Sequence, residues 1–244
     1  MVGFTTVTFR KKSVDEIINI AKNNKVDYIE WGSDVHLPYE DNDAIIKKIL
    51  DSKVKNLSYG TYYRVGEKDY DKFEKICNTA SKINCKIIRI WLGKMSSIKC
   101  SNYIVKDYVL EVQKLCDIAK KYNLIVASEF HNNTLNDNGD TALQFIKNVD
   151  RDNYKTYWQP LGDKKNDFDN LKKVLPYLVV VHVFNWSKNC VRFSLKLGKK
   201  KWKNYIDYIQ KNKCNELFYV MEFVKKDSER QFCRDLSCLK GILD

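Results

Sequence analysis

Residues 178–184 are Leu-Val-Val-Val-His-Val-Phe, a run that is apolar on both faces of an extended chain. A strand needs two apolar faces when helices cover both sides of a parallel sheet. The run therefore predicts a buried parallel strand, with His182 as its one polar residue. Other short apolar runs occur before and after it, each followed by an amphipathic stretch. The repeat is about 30 residues, which is the size of one strand–helix unit.

Eight such units can be counted, from Val2–Phe9 with Ser13–Asn23 to the closing unit Glu216–Leu243. Eight strand–helix units over residues 1–244 predict one domain, a single (β/α)8 TIM barrel. The alternative is a doubly wound open sheet, which normally has a glycine-rich phosphate loop after its first strand. Thr8-Phe9-Arg10-Lys11 stands there instead, and the barrel is preferred. The remaining predicted strands are Val26–Trp31, Lys55–Tyr62, Lys86–Leu92, Leu124–Phe130, Tyr154–Gln159 and Leu178–Phe184.

The composition indicates whether a nucleic acid or a membrane is an expected partner. Lys and Arg number 43 against 31 Asp and Glu, for a formal charge of +12, but only seven of the basic residues are Arg. We therefore expect a solvated lysine-rich surface and no nucleic-acid partner, since there is no arginine stripe or nucleic-acid motif. No apolar run approaches the roughly 18 residues of a membrane span, so no membrane partner is expected. Arg10-Lys11-Lys12 follow the apolar start rather than precede it, which argues against a secretory signal and predicts a cytoplasmic protein.

The eight cysteines show no Cys-x-x-Cys spacing, and several stand at apolar helical positions, such as Cys77 and Cys116. We interpret them as reduced core residues rather than as zinc ligands or a disulfide framework.

Four polar residues end the last four predicted strands in succession: Glu129, Gln159, His182 and Glu222. The carboxyl ends of barrel strands meet at one face, so these side chains can converge. Two carboxylates, an imidazole and an amide oxygen suit one divalent ion, Mn²⁺ or Mg²⁺ and also Co²⁺ or Zn²⁺. The alternative is four separate buried polar residues, and burying carboxylates unpaired costs several kcal/mol. The pattern predicts a metal centre.

Aromatic residues and histidines gather at the same strand ends. Flat indole faces beside polar groups suit sugar rings, although tryptophans can also pack a barrel rim. All three histidines of the chain lie at strand ends. The candidates for substrate contact are Trp31, Trp91, Trp158, Trp186, His36 and His131.

With these residues in this order, the chain resembles the sugar phosphate isomerase/epimerase proteins of the xylose-isomerase-like barrel superfamily. The resemblance covers nearly the whole chain. It rests on Ile29-Glu30-Trp31-Gly32 with Asp34 and His36, Glu129-Phe130-His131, His182, Glu222, and Arg192 to Leu195 with Gly198 and Trp202.

The resemblance implies a metal held by a glutamate, an aspartate, a histidine and a second glutamate. In this chain Gln159 replaces the aspartate, so the site loses one negative charge. It also implies an isomerase or epimerase acting on a sugar or sugar phosphate by proton transfer through an enediolate. Glu129 and Glu222 would then be catalytic, and Arg192 would hold a substrate oxygen or phosphate.

Other functions remain open at this stage. A lyase of the inosose-dehydratase kind needs similar metal chemistry. Another alternative is a metal-poor, non-catalytic barrel that binds a sugar or phosphate, and the neutral side chain of Gln159 favours it. A zinc endonuclease of the same superfamily is disfavoured, because its sites are histidine-rich and this chain has three histidines. The sequence does not choose between a monomer and a homodimer.

Overall fold

A computed structural model describes residues 1–187, 191–213 and 216–244, without the side chains of Lys164 and Lys165. In these residues eight parallel strands close into a barrel in chain order, so that β8 pairs with β1. The predicted (β/α)8 TIM barrel is confirmed. The strands are β1 (Val2–Thr5), β2 (Tyr28–Gly32), β3 (Asn56–Arg64), β4 (Ile87–Trp91), β5 (Ile125–Ser128), β6 (Tyr154–Trp158), β7 (Leu178–Val183) and β8 (Phe218–Met221).

A helix follows each strand in the described part of the chain, and the sequence marks where several of them begin. Ser13 starts the first helix with a capping box, because its hydroxyl accepts from the Glu16 backbone N–H while the Glu16 carboxylate accepts from the Ser13 N–H. Ser101 and Ser228 cap later helices in the same position. The helices are α1 (Val14–Asn23), α2 (Asp43–Ser52), α3 (Tyr70–Lys82), α4 (Asn102–Lys121), α5 (Gly139–Val149), α6 (Lys164–Val174), α7 (Lys199–Asn212) and α8 (Glu229–Leu243).

Two apolar clusters make up the core. The larger one lies between the sheet and the surrounding helices and includes the buried thiols of Cys77 and Cys116. Cys190 and Cys214 lie outside the described residues. The smaller cluster fills the inside of the barrel, where strand residues alternate inward and outward. Its buried members are Leu57, Ile87, Ala127, Tyr157, Val180, Phe218 and Val220.

The first predicted strand, Val2–Phe9, is shorter in the structure. It ends at Thr5, and Thr6–Phe9 form a turn of 3₁₀ helix. The Thr6 hydroxyl accepts a hydrogen bond from the Gly32 N–H, which ties this turn to the end of β2. The turn places Thr8 against the chain that follows β8, where the Thr8 hydroxyl accepts from the Phe223 N–H. Among the described helices, none combines the length and the apolar character that crossing a bilayer requires.

Candidate active site

The four predicted metal ligands come together at the carboxyl end of the barrel. His182 lies in β7, and the other three residues directly follow β5, β6 and β8. The Nδ1 atom of His182 is 3.2 Å from Gln159 Oε1, 3.5 Å from Glu222 Oε2 and 3.7 Å from Glu129 Oε1. Ligand atoms of the two glutamates and the histidine all lie within 4.8 Å of one another. All four side chains are buried, so their charges interact in a medium that screens them far less than water does.

A buried ion pair lies against this cluster on its inner side. Nη1 of Arg89, in β4, is 3.3 Å from Glu30 Oε1 and 3.3 Å from Glu129 Oε2. Gly60 leaves the space for this pair, since a Cβ there would sit 3.2 Å from the Glu30 carboxylate and 3.1 Å from the guanidinium. The arginine offsets part of the negative charge that three buried carboxylates bring together.

The histidine and its carboxylates shift one another's protonation. Burial opposes a charged imidazole, but the carboxylates of Glu222 and Glu30 outweigh it and raise the pKa of His182 to about 10. Burial likewise opposes ionisation of Glu222, yet the positive charge of His182 keeps the pKa of Glu222 below its ordinary value. Burial raises the pKa of Glu129, and the Arg89 guanidinium only partly reverses that rise. The cluster thus holds one ionised carboxylate, Glu222, beside a carboxyl group that keeps a proton more readily.

The donor set fits a divalent cation. Carboxylate, imidazole and amide oxygen donors surround one buried point, where Glu129 Oε1 and Glu222 Oε2 both face His182 Nδ1. Two buried carboxylates brought this close together repel each other unless a cation offsets their charge. Glu129, Gln159, His182 and Glu222 are therefore the side chains that could hold a divalent ion.

On one side of the barrel mouth, His131 and Trp91 form an aromatic wall. Their ring centroids lie 4.4 Å apart, and the Tyr62 ring stacks on Trp91 at a centroid distance of 6.2 Å. His131 Nδ1 is 2.7 Å from the Asn132 carbonyl oxygen, so Nδ1 carries the hydrogen and donates it. Nε2 is then left with a lone pair that faces away from that contact.

On the other side, Trp186 packs between Phe184 and Phe223, at 4.6 Å and 5.3 Å between ring centroids. Arg192 lies over the Phe223 ring at 4.4 Å and pairs with Asp227. Arg192, Phe223 and Asp227 border a cavity of about 380 Å³ between the loops that follow β1 and β8. The structure therefore brings Trp186 and Arg192 to the segment that directly follows Glu222.

His36 lies apart from the four ligand candidates in its hydrogen bonding. It is 3% exposed, and its Nε2 is 2.9 Å from the carbonyl oxygen of Lys12. Burial lowers its pKa, so the ring is neutral and donates to that carbonyl. His36 fixes the loop after β2 against the loop after β1.

Two of the predicted substrate contacts are wrong. Trp31 is fully buried, and its indole N–H donates to Asn56 Oδ1 at 2.7 Å. Trp158 is fully buried against Trp202 and Tyr205, with ring centroids 6.3 Å and 5.0 Å away. Both side chains point outward from the barrel into the core beneath the helices. The reason is the two-residue alternation of a strand, which sends them to the face opposite their inward neighbours.

Sequence reasoning also missed three residues that build the site: Glu30, Arg89 and Tyr157. Each stands two positions from another inward residue on its strand, so the same alternation would have found them. Glu30 and Tyr157 each precede a tryptophan that points outward, Trp31 and Trp158, so they point inward. Arg89 points inward because it stands two residues after the inward Ile87. The predicted site consists of residues at the strand ends, whereas the polar side chains extend further into the barrel and include Glu30 and Arg89.

A closed barrel of eight parallel strands, with buried acids and a histidine at the carboxyl ends of the strands, is the arrangement found in TIM-barrel proteins that bind or convert small molecules. Residues 18–240 match the family model described as xylose isomerase-like TIM barrel, and the chain belongs to that family. The predicted family is confirmed.

Known proteins of several activities are similar to this chain. A 3-dehydroshikimate dehydratase of Bacillus anthracis is 24% identical over 200 residues, which cover 75% of this chain and 70% of that protein. The crystal structure of the probable 3-DHS dehydratase of petrobactin synthesis from Bacillus anthracis superposes with a TM-score of 0.81, at 17% identity over 98% of each chain. A xylose isomerase-like barrel protein from Mycobacterium smegmatis, solved in complex with magnesium, gives 0.74 at 16% identity over 100% and 97% of the chains. A D-psicose 3-epimerase solved with D-fructose gives 0.76 at 14% identity over 99% of each chain. At these identities the solved structures establish the fold.

Proposed function

We propose that this chain is a divalent-metal-dependent lyase that eliminates water from a small polyhydroxylated carbonyl compound. The observation that carries the proposal is the buried cluster of Glu129, Gln159, His182 and Glu222 at the barrel mouth. These residues would hold the ion, which when bound polarises a substrate carbonyl and lowers the cost of removing a neighbouring proton. The substrate is a small molecule, since the cluster lies inside the mouth of a barrel.

Glu222 is the group placed to move that proton. Its carboxylate is ionised, and among the described residues no arginine or lysine lies within ion-pair distance of it. Glu129, in contrast, is held by Arg89 at 3.3 Å. One ionised carboxylate is enough for elimination, because it can take the proton from carbon and pass it to the departing hydroxyl, which leaves as water. The carbon–oxygen bond breaks as a carbon–carbon double bond forms.

The mouth supplies groups that bind and orient the substrate. His131 presents the lone pair of Nε2 to a substrate hydroxyl, since its Nδ1 is engaged by Asn132. The aromatic rings of Trp91 and Trp186 border the mouth on its two sides, next to His131 and Phe223 respectively, and offer flat faces to a substrate ring. Arg192, over Phe223, would bind an anionic group such as a carboxylate or phosphate.

The similarity to dehydratases supports elimination over isomerisation. A second candidate is epimerisation or aldose–ketose isomerisation of a sugar or sugar phosphate, for which two proton-transfer groups must face one carbon from opposite sides. The observation in its favour is that Glu129 and Glu222 both face the same atom, His182 Nδ1, at 3.7 Å and 3.5 Å. The similarity to a D-psicose 3-epimerase supports it as well.

The test is to incubate the Mn²⁺-loaded protein in D₂O with 3-dehydroshikimate and, separately, with free and phosphorylated ketohexoses. Elimination produces an unsaturated product that absorbs in the ultraviolet, and it is lost in Glu222→Gln but retained in part in Glu129→Gln. Epimerisation instead gives a product with one deuterium on carbon and no new absorbance, and both variants abolish it. The matched control is Glu111→Gln, a buried carboxylate on α4 that holds the loop after β3. Absence of both products from a metal-loaded protein would contradict the proposal and favour a sugar-binding barrel.

A further inference from the structure

His182 makes a second contact that does not involve the other three candidate metal ligands. While Nδ1 faces Gln159, Glu129 and Glu222, the opposite ring nitrogen, Nε2, is 3.4 Å from Glu30 Oε1. Glu30 lies in β2, which β8 and β1 separate from β7 around the barrel, and is fully buried. A carboxylate with no exposure is kept in the interior of a barrel only if its partners compensate for the lost water.

Those partners hold the Glu30 carboxylate in one orientation. Its Oε2 accepts hydrogen bonds from the hydroxyls of Ser58 at 2.8 Å and Tyr157 at 2.9 Å, and Arg89 lies 3.3 Å from Oε1. The Tyr157 ring also stands edge-on to the imidazole of His182, 5.1 Å away at 87°. Glu30 is therefore fixed by donors on β3, β4 and β6, and its Oε1 atom lies between Arg89 and the histidine.

We propose that Glu30 is a positioning residue for the metal, acting through His182. Its carboxylate, 3.4 Å from Nε2, favours a hydrogen on that nitrogen, which leaves the lone pair on Nδ1, the atom that faces Glu129, Gln159 and Glu222. A carboxylate behind a ligating histidine also makes the imidazole a stronger donor, and removing such a partner typically lowers metal affinity about 10- to 100-fold. This role matters more here because Gln159 contributes no charge to the site. The inference rests on the proposed function, since it presumes that the cluster holds a divalent ion.

Metal titration of matched variants tests the inference. Dissociation constants for Mn²⁺ and Co²⁺ are measured for the wild type, Glu30→Gln and Glu111→Gln, the last being an equally buried carboxylate outside the site. We expect Glu30→Gln to weaken binding about 10- to 100-fold and Glu111→Gln to leave it unchanged. Folding is checked by far-ultraviolet circular dichroism of each protein. If Glu30→Gln fails to fold, the double variant Ser58→Ala/Tyr157→Phe frees Oε2 while keeping the charge, and it should weaken binding by a smaller factor.

A spectroscopic readout separates positioning from general support of the fold. In the protein loaded with ¹¹³Cd²⁺ and labelled with ¹⁵N histidine, the cadmium coupling should appear on Nδ1 of His182, with a proton retained on Nε2. Coupling to Nε2, or wild-type affinity in a folded Glu30→Gln protein, would overturn the inference and leave the metal centre intact. A wild type that binds no ion would overturn the proposed function instead.

Discussion

The inside of the barrel contains two layers of side chains, a lower apolar layer and an upper polar layer. On each of five strands, the residue in the upper layer follows the residue in the lower layer by two positions. In β4, β5, β6, β7 and β8 an apolar side chain faces inward, and the inward residue two positions later is polar. The pairs are Ile87 and Arg89, Ala127 and Glu129, Tyr157 and Gln159, Val180 and His182, and Val220 and Glu222. The lower layer is packed like any core, while the upper layer gathers two glutamates, a glutamine, an arginine and a histidine with almost no exposure.

The two layers therefore have separate properties: the lower one supplies apolar packing, and the upper one contains the charged side chains of the candidate site. The lower layer stabilises the folded state, because folding removes its apolar surface from water. The upper layer places charges where water cannot screen them, at a cost that only ion pairs and hydrogen bonds offset. Substitutions in the two layers should therefore have separable effects, one on unfolding and the other on metal binding and turnover.

The largest effect is expected from Glu222→Gln in the upper layer. The amide keeps the shape of the side chain but cannot accept the substrate's proton, so turnover should fall about 10²- to 10⁴-fold. The rate of proton exchange from substrate into D₂O measures this step directly. The melting temperature should change little by comparison, and a variant with wild-type turnover would remove Glu222 from the proton transfer.

In the lower layer, Leu57→Ala should act on stability instead. Leu57 is fully buried in the cluster inside the barrel, so its truncation should lower the free energy of unfolding by about 2–5 kcal/mol. Urea unfolding monitored by circular dichroism gives this value. One metal ion per folded chain should still bind, and loss of the ion in a folded Leu57→Ala protein would show that the layers are not separable.

A pH series sharpens the contrast further in the metal-free protein. The pKa of His182 is raised in the folded state from 6.5 to about 10, so the stability it adds is fully present below pH 6.5 and is lost as the pH rises towards 10. The difference in unfolding free energy between the wild type and His182→Gln should shrink over that interval. The corresponding difference for Leu57→Ala should not depend on pH, and a flat curve for both variants would contradict the charged state of His182.

The smallest effect is expected from Gln159→Asp. A carboxylate at this position restores a negative charge next to the cation, and affinity for Mn²⁺ should rise roughly tenfold, equal to about 1.4 kcal/mol. Isothermal titration against the wild type measures the change. Unaltered or weaker binding would mean that the Gln159 oxygen does not ligate the metal.

The sequence was sufficient to predict the fold because its signal repeats. Eight apolar runs at a steady spacing, typified by Leu178–Phe184, left little choice of architecture. The polar ends of the last four strands were likewise predictable, because parallel strands must bring Glu129 and Glu222 to one face. The structure does bring these two side chains together around His182.

What the sequence alone did not reveal is which face of a strand each side chain takes. Trp31 and Trp158 were predicted as substrate contacts because they end strands, although their neighbours Glu30 and Gln159 already occupy the inward face. Glu30 was not predicted as a partner of His182, because the two residues are far apart in the sequence and only closure of the barrel brings them together. Contacts across a barrel depend on register and curvature, which no local pattern specifies.

The most direct test of the account is the metal content of the purified protein before and after loading with Mn²⁺, compared with the double variant Glu129→Ala/His182→Ala. Elemental analysis should find one divalent ion per chain in the loaded wild type and none in the folded double variant. An equal metal content in both proteins, or no ion in either, would contradict a metal centre at the carboxyl end of this barrel.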